Sequence, residues 1–457
     1  MPYFMREIQW FAGILSSRPF SCLKAGTSAV DSAGHALARG SDCRKLPSMF
    51  DRLPRLAALA VIVLFLSVSA WLLGAPGQTA AVAKAGQYSD MQLYRDVVAA
   101  MREGAPYHRA SAQLQREHGY PLKPFVTMRP PTLYVAAAKL GWPALQFAAL
   151  LLVLANVLAW SKALPGSLAR AERIGAAAGA ALGGAAVLVP MLLGFTELWA
   201  GLLMSLALAL RLARPERWGW TVGLVATALL LRELALPFAL LAAAFALWER
   251  RWRELAAWGA VLAGFALFMA WHAGAVMAEV RPGDIASPGW SGGQGLRGVL
   301  MALANTSLWQ NVPQPLAVVA CLLPALGWGA LCGRGGPFAL LLLAGYALML
   351  ALFARADNFY WGFLLLPHWF AGYALVPRGI AQLWRAGWSS RRLSDPPPHR
   401  PYTRHSLPPP RFPRPAAARG GRMPPAPGRR RGGRLPPGAH RGPARAPPFH
   451  PPVHRSR

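Results

Sequence analysis

Long apolar runs, interrupted by short polar segments, fill the middle of this 457-residue chain. A helix of about 20 apolar residues is long enough to cross the hydrocarbon core of a bilayer. The pattern therefore predicts an all-α, polytopic membrane protein of about ten transmembrane helices. The predicted spans lie near 55–75, 141–160, 174–193, 197–210, 218–231, 234–248, 255–275, 315–332, 337–354 and 361–384.

Basic residues are concentrated in one alternating set of the short loops between these spans. Cytoplasmic loops of membrane proteins carry an excess of Lys and Arg, whereas the opposite short loops here hold only Arg232 and Arg355. This predicts a multi-pass protein of the plasma (inner) membrane with both termini cytoplasmic. The basic set is Lys162, Arg170, Arg173, Arg211, Arg214, Arg217, Arg250, Arg251, Arg253, Arg334, Arg385, Arg391 and Arg392.

Two long loops, 76–130 and 276–313, then belong to the outer side. The first contains apolar residues at helical spacing, which predicts an amphipathic helix lying along the membrane interface. A second short helix is predicted from Pro130, because proline is favoured where helices begin. The apolar positions of the first helix are Met91, Tyr94, Val97, Val98 and Met101.

The overall composition agrees with a membrane protein, but the charge is distributed unevenly. Hydrophobic residues make up 54% of the chain and charged residues 14%, and the net charge is +30. Much of this charge lies in residues 391–457, which hold sixteen arginines, nineteen prolines and one acid, Asp395. Such a segment cannot bury an apolar core and is predicted to be disordered.

We divide the chain accordingly into a doubtful and disordered N-terminal extension (1–48), a transmembrane domain (49–390) and the Arg/Pro-rich tail (391–457). The tail has the composition of a GC-rich gene read in a shifted frame. Its alternative interpretation is a basic segment that contacts anionic lipid or RNA. We expect the lipid bilayer to be a partner of the protein, and we expect no nucleic acid.

Asp90 is the first candidate for chemistry, because it is an acid at the start of the predicted interfacial helix. Its ordinary role would be to cap the helix or to favour its first turn, which contributes about 1 kcal/mol. A carboxylate at the outer face, close to aromatic residues, could instead deprotonate an acceptor hydroxyl or hold a divalent metal. The sequence leaves both roles open.

Arg232 and Glu233 interrupt an apolar run that extends from Trp218 to Trp248. They could form a simple polar turn between two helices. Each half of the run is shorter than the roughly 20 residues that cross a bilayer, so the pair is predicted to be recessed below the surface. Charges recessed in a membrane are costly and usually functional, and an arginine suits phosphate because its planar fork binds two oxygens.

Other polar residues near the outer ends of the spans have both ordinary and functional explanations. Glu197 follows Gly194 and could simply favour a helix start. Arg129 could anchor its loop to lipid headgroups. Arg355 and Asp357 could pair with each other as a loop salt bridge.

Two histidines, His272 and His368, are predicted near the outer ends of their helices. A histidine within an apolar helix is more often hydrogen-bonded inside the protein than catalytic, because a buried polar group needs a partner. A structural role is therefore the stronger expectation for both. The remaining candidate site residues belong to a sequence pattern that extends over several segments of the chain.

Three stretches of the chain form a pattern together. The first is "DMQLYRDVVAAMREGAPYH", with its Asp-x-x-x-Tyr and Gly-x-Pro-Tyr in the first outer loop. The others are the proline-rich "YPLKPFVTMRPPTLY" and "ELWAGLLMSLALALRLARPERWGWTVGLVATALLLRELALPFALL". In these stretches the chain resembles the GT-C membrane glycosyltransferases, and among them glycosyltransferase family 87, whose members use polyprenol-phosphate-mannose. The resemblance covers roughly residues 55–385.

The resemblance implies a GT-C-like fold and a cell-envelope hexosyltransferase that uses a polyprenyl-phosphate sugar donor and a lipid or glycan acceptor. Asp90 takes the role of the catalytic residue, and Arg232 would hold the carrier phosphate. No cofactor is assigned, and a divalent metal is left open, because Asp90 lacks the adjacent second acid of the metal-using relatives and no metal ligand is assigned. The substrate-binding residues are Arg232, Tyr94, Tyr107, His108, Arg129, Glu197, Arg355 and Asp357.

Other functional classes fit the sequence less well. A transporter or lipid flippase would have internal repeats and charges near the midplane of the bilayer, whereas the polar residues here cluster toward one face. A polysaccharide ligase or polymerase would place arginines in a large outer loop, but 276–313 contains only Arg281 and Arg297. An inactive scaffold remains the fourth alternative.

Overall fold

The apolar runs of the sequence fold into α-helices joined by short 3-10 turns. The computed structural model describes residues 48–75, 88–165, 168–333 and 335–388, which belong to the unit Met1–Arg391. These residues contain no strand, although Lys123 and Ala286 form an isolated bridge. The predictions for 1–47, 389–457 and Arg334 lie outside the described residues.

Sixteen α-helices occur in the ranges that the structure describes, and we number them in chain order. They are α1 (Arg55–Gly74), α2 (Asp90–Arg102), α3 (Tyr107–Glu117), α4 (Thr132–Leu140), α5 (Trp142–Ala163), α6 (Arg170–Gly183), α7 (Thr196–Ala213), α8 (Trp218–Leu231), α9 (Leu236–Trp248), α10 (Trp252–Glu279), α11 (Gly295–Asn305), α12 (Gln314–Leu322), α13 (Pro324–Gly329), α14 (Gly335–Phe353), α15 (Gly362–Ala371) and α16 (Val376–Trp388).

Five of these helices, α1, α5, α7, α10 and α14, are long and apolar enough to cross a bilayer. Glu233–Trp248 and Gln314–Gly329 are apolar but shorter. Only 11% of the apolar stretches of α1 and α10 is buried, against 78% for α7. Large exposed apolar surfaces indicate contact with lipid, so the helices support a membrane protein, while the count of ten spans stays a prediction.

Three of the predicted spans are interrupted in the structure. In 174–193, α6 ends at Gly183 and two 3-10 turns follow. The predicted helix 315–332 is divided between α12 and α13 at Pro324, because proline has no N–H to continue the hydrogen-bond ladder. The predicted span 361–384 consists of α15, a 3-10 turn and α16.

The centre of the fold is formed by α5, α6, α7 and α15, which pack against one another. All residues of α15 from Gly362 to Ala371 are buried, as are most of those of α7. α8 packs against α7, while α1 packs against α12 and α16 at the periphery. A helix that is apolar on every side is accommodated in the protein interior, as α15 is, or against lipid, as the exposed surface of α1 indicates.

Close contact between α6 and α15 depends on a stripe of glycines. Gly175, Gly179 and Gly183 recur every fourth residue and so lie on one face of α6. A Cβ atom on Gly179 would meet the carbonyl oxygen of Phe370, and one on Gly183 would lie 2.6 Å from Cα of Pro367. Small residues let the backbones of two membrane helices approach in this way.

Replacing Gly179 by Ala is expected to destabilise the protein by about 1–3 kcal/mol, because the added methyl group collides with backbone that must move. Thermal unfolding of the detergent-solubilised protein measures the loss. The matched control is Gly223→Ala on α8, where a Cβ atom meets nothing within 4 Å. Equal stability of the two variants would show that α6 and α15 do not depend on this contact.

The two long loops are tied to each other at one end of the helix bundle. Arg116 of α3 forms two hydrogen bonds with Asp284 of the second loop, from Nε to Oδ1 at 2.7 Å and from Nη2 to Oδ2 at 2.9 Å. The backbone N–H of Ser287 donates to the carbonyl oxygen of Lys123 at 2.6 Å. These bonds hold the second loop beside α3 and the segment that carries Arg129.

Candidate active site

Arg232 lies at the centre of a buried group of charges. It ends α8 where the backbone becomes extended, and Glu233 begins the short turn before α9. The Arg232 side chain is 2% exposed, with Nε 2.9 Å from Oε1 of Glu197 and Nη1 2.6 Å from Oε1 of Glu233. The side chain is thus enclosed by the protein, while the depth of Arg232 below the membrane surface stays a prediction. Glu197 is the second residue of α7 and is fully buried.

Arg129 brings a second guanidinium group to the same place from the loop between α3 and α4. Its Nη2 donates to the hydroxyl of Tyr360 at 2.9 Å and lies 3.6 Å from Oε1 of Glu197. The guanidinium lies 5.7 Å from the centroid of the Tyr360 ring. The side chain is 12% exposed and points into the protein, so the alternative role as a headgroup anchor does not fit.

Several polar atoms in this cluster lack a hydrogen bond. They are Nε of Arg129, Nε of Arg232 and Oε1 of Glu197. The 2.9 Å contact between Arg232 and Glu197 is an ion pair whose N–H is not aligned with the oxygen. Buried polar atoms are nearly always hydrogen-bonded, so such atoms indicate a place where a ligand or water completes the site.

Asp90 begins α2 but does not cap it, because the Ser89 side chain accepts the N-terminal hydrogen bond from the N–H of Gln92. The Asp90 side chain is half-buried, and Tyr120, whose hydroxyl donates to the carbonyl oxygen of Tyr88 at 3.3 Å, lies beside it. Burial raises the pKa of the Asp90 carboxyl above its usual range, while Tyr120 and the charge of Arg129 lower it. A carboxyl of raised pKa is the type that enzymes use as a general base near neutral pH.

Aromatic residues pack around both charged groups. The ring of Tyr134 lies 5.2 Å from that of Tyr94 and 5.6 Å from that of Tyr107, measured between centroids. On the other side, Phe195 stacks on Tyr360 at 4.9 Å. Tyr94 and Tyr107, predicted to bind substrate, are both buried in this wall, where they support the backbone that carries Asp90 and Arg129.

His108, also predicted to bind substrate, has a partner within the protein. Its Nε2 lies 3.0 Å from Nδ1 of His272, and Nε2 of His272 lies 3.1 Å from the carbonyl oxygen of Met128. Burial and the neighbouring His272 lower the pKa of His108 to about 4. The two imidazoles connect α3, α10 and the Arg129 loop.

Arg355 and Asp357 form the salt bridge that the sequence allows. Nε and Nη2 of Arg355 donate to the two carboxylate oxygens of Asp357 at 3.0 and 2.7 Å. Nη1 of Arg355 donates to the carbonyl oxygen of Gly289 at 3.0 Å, which fixes the second long loop. Asp357 acts on Asp90 electrostatically, but neither residue contacts the buried arginines by an ion pair among the described contacts.

The structure adds three residues to the site that were not among the predicted ones. Tyr360 hydrogen-bonds Arg129, Tyr120 lies beside Asp90, and His272 holds His108. Tyr120 occurs in one of the stretches that carry the sequence pattern, and Tyr360 lies in the same turn as Arg355 and Asp357, so their positions offered a weak signal. His272 gave none, since a histidine in an apolar helix looks the same whether or not it supports a site.

No protein-family model matches the sequence, and neither a curated protein nor a solved structure is significantly similar to it. Within the described ranges, no three His, Cys, Asp or Glu side chains are close enough together to hold a metal ion. The charged groups of the candidate site are one carboxyl of raised pKa, two buried arginines and the acids beside them.

Proposed function

We propose that this chain is a membrane glycosyltransferase that moves a sugar from a polyprenyl-phosphate donor to a lipid or glycan acceptor. One observation carries the proposal, namely that Asp90 lies within electrostatic reach of Arg129, which shares Glu197 with the buried Arg232. Such a site offers a base for a hydroxyl and a planar cation for a phosphate, the two groups that sugar transfer requires.

In the proposed reaction, Asp90 accepts the proton of an acceptor hydroxyl as its oxygen forms a bond to the anomeric carbon of the donor sugar. The bond between that carbon and the phosphate oxygen breaks, and polyprenyl phosphate leaves with the electron pair. A fixed guanidinium stabilises the negative charge that develops on the leaving oxygen. The products are the glycosylated acceptor, polyprenyl phosphate and a proton that Asp90 releases.

The contacts favour Arg129 over Arg232 as the main ligand of the phosphate. Arg232 is paired with carboxylates on two sides, so a phosphate would have to displace one of them. Arg129 lies farther from Glu197, with Nη2 at 3.6 Å, whereas Nε of Arg232 already lies 2.9 Å from the same carboxylate. We therefore propose that Arg129 binds the phosphate and that Arg232 holds Glu197 in position.

In this proposal the site opens to the outer face of the plasma membrane, and both termini are cytoplasmic. The distribution of Lys and Arg assigns the site residues to the outer side, and among them Arg129 and Arg232 both pair with Glu197. Arg211 and Arg251 belong to the basic residues assigned to the cytoplasmic side. Both form ion pairs with Glu254, at 2.8 and 2.7 Å. The ten-span arrangement belongs to the same proposal.

Arg129→Ala is expected to weaken binding of polyprenyl phosphate by about 10- to 100-fold, because a hydrogen bond to a charged group contributes about 1.5–3 kcal/mol. Arg129→Lys should recover the affinity only in part, since a point charge lacks the planar fork. Binding is measured with the protein in lipid nanodiscs, and transfer is measured with a radiolabelled lipid-linked sugar.

Arg109→Ala is the matched control, since its side chain is 71% exposed and lies on the neighbouring α3. It should bind and transfer as the parent does. If Arg129→Ala binds polyprenyl phosphate as tightly as the parent, the phosphate assignment is wrong. If labelled sugar crosses the bilayer without becoming attached to an acceptor, the protein is a transporter instead.

A further inference from the structure

The backbone on both sides of Arg129 is fixed by side chains of other helices. The peptide group before its Cα is held by Nε2 of His272, 3.1 Å from the carbonyl oxygen of Met128. The peptide group after it is held by the Tyr107 hydroxyl, which donates to the carbonyl oxygen of Arg129 at 2.6 Å. Two held peptide planes determine the direction in which the Arg129 side chain leaves the backbone.

The hydrogen bonds also restrict where the protons of both histidines lie. A carbonyl oxygen only accepts, so Nε2 of His272 carries a proton. One further proton lies between Nδ1 of His272 and Nε2 of His108, which are 3.0 Å apart, and either ring can donate it.

We propose that His272, oriented by His108, is a positioning residue for Arg129 and acts together with Tyr107 on the opposite peptide. The inference rests on the proposed function, because the position of Arg129 matters for the phosphate that it binds. His272 itself touches no reacting group. It is fully buried on α10, a long helix that gives the loop a fixed reference point.

A comparison with the other buried histidine separates this role from simple packing. His368 of α15 is also fully buried, but neither of its ring nitrogens has a hydrogen-bond partner. Replacing His368 removes volume and polarity from the core and no hydrogen bond to the site. His368→Leu is therefore the matched control for His272→Leu.

The test measures the position of Arg129 directly, with the full-length protein in detergent and phenylglyoxal, a reagent that modifies accessible arginines. Peptide mass spectrometry follows modification of Arg129, of the exposed Arg109 and of the buried Arg211. His272→Leu and Tyr107→Phe are each expected to raise the modification rate of Arg129 severalfold, with the other two arginines unchanged. His272→Gln retains a donor for the Met128 carbonyl oxygen and should restore the parent rate.

Binding of polyprenyl phosphate is measured on the same variants. A shift of about 1 Å in a positioned group lowers function by about 10²-fold, so His272→Leu should lose up to that much affinity, while His368→Leu loses none. Rescue by His272→Gln distinguishes positioning from packing, since glutamine restores the hydrogen bond but not the ring.

The outcomes separate the inference from the proposed function. If Arg129 is modified at the parent rate in both His272→Leu and Tyr107→Phe, the positioning role is overturned, whatever Arg129→Ala does to phosphate binding. If Arg211 becomes equally reactive, the variant has loosened the whole fold, and the positioning role is also overturned. If Arg129 alone becomes reactive but Arg129→Ala binds phosphate normally, the positioning role stands and the proposed function fails.

Discussion

Asp90→Asn is expected to lower the rate of sugar transfer by about 10²–10⁴-fold, because asparagine keeps the shape of the side chain but cannot accept the proton of the acceptor hydroxyl. The stability of the folded protein should not fall with it. Burial raises the pKa of Asp90, so the ionised carboxylate costs stability at neutral pH, and a neutral amide removes that cost. Transfer assays and thermal unfolding of the same preparation measure the two effects.

The pH profile of kcat/KM gives the same prediction a second readout. A general base must be deprotonated to act, so kcat/KM should fall at acid pH. The midpoint of this acid limb should lie at a pH above about 3.9, the usual pKa of aspartate. The direction follows from burial, which is the main influence on the pKa of this carboxyl. The residual activity of Asp90→Asn should lack this limb.

Asp96→Asn is the control for Asp90→Asn on the same helix. Asp96 accepts a hydrogen bond from the Tyr88 hydroxyl at 2.6 Å, which an asparagine oxygen can also accept. This variant should transfer sugar at the parent rate. Normal turnover in Asp90→Asn would falsify the base assignment and leave Asp90 with a role in the first turn of α2.

Arg232→Ala is expected to destabilise the protein by about 3–5 kcal/mol, since it leaves the buried Glu197 without its closest partner. Oε1 of Glu197 lies 2.9 Å from Nε of Arg232 and 3.6 Å from Nη2 of Arg129, so the second arginine compensates only in part. Arg232→Lys should also be harmful, because one ammonium group cannot reach Glu197 and Glu233 in the same geometry. Denaturant or thermal unfolding measures the loss.

Two further variants show whether the loss comes from the unpaired acid. The double variant Arg232→Met, Glu197→Gln removes both charges of the pair and should recover part of the stability, because the Glu197 carboxylate is no longer left unpaired. Recovery is partial, because Arg129 then loses Glu197 and Glu233 loses Arg232 as ion-pair partners. Arg109→Ala breaks an exposed contact of 3.9 Å and should change stability by at most about 0.5 kcal/mol. If Arg232→Ala is as stable as Arg109→Ala, the ion cluster does not stabilise the fold.

The helices were the most predictable part of this protein. Apolar runs such as that of α1 need only local hydrogen bonds and an apolar surrounding to become helical, and both are encoded in consecutive residues. The interruptions were predictable only in part. Pro324 marks a break, whereas the end of α6 at Gly183 depends on how closely its glycines approach α15.

The site was predictable as a set of residues and not as a set of contacts. Asp90, Arg129, Glu197 and Arg232 were candidates because charge is expensive in an apolar chain and tends to be kept for a use. The partners of each charge depend on distances of about 3 Å between helices that are remote in sequence. Charge alone does not tell which arginine joins the cluster. Arg355 carries the same charge as Arg129 but pairs with Asp357 in its own turn.

The sequence by itself determined that the chain is helical, that most of its helices are apolar, and which polar residues interrupt them. These properties follow from local periodicity and from the cost of placing charge among apolar groups. Only the tertiary structure decided that Arg129 lies between Glu197 and Tyr360, and that His272 and Tyr107 hold the backbone beside it. Such contacts arise when helices pack at one relative height and rotation, and a linear pattern of hydrophobicity does not encode that geometry.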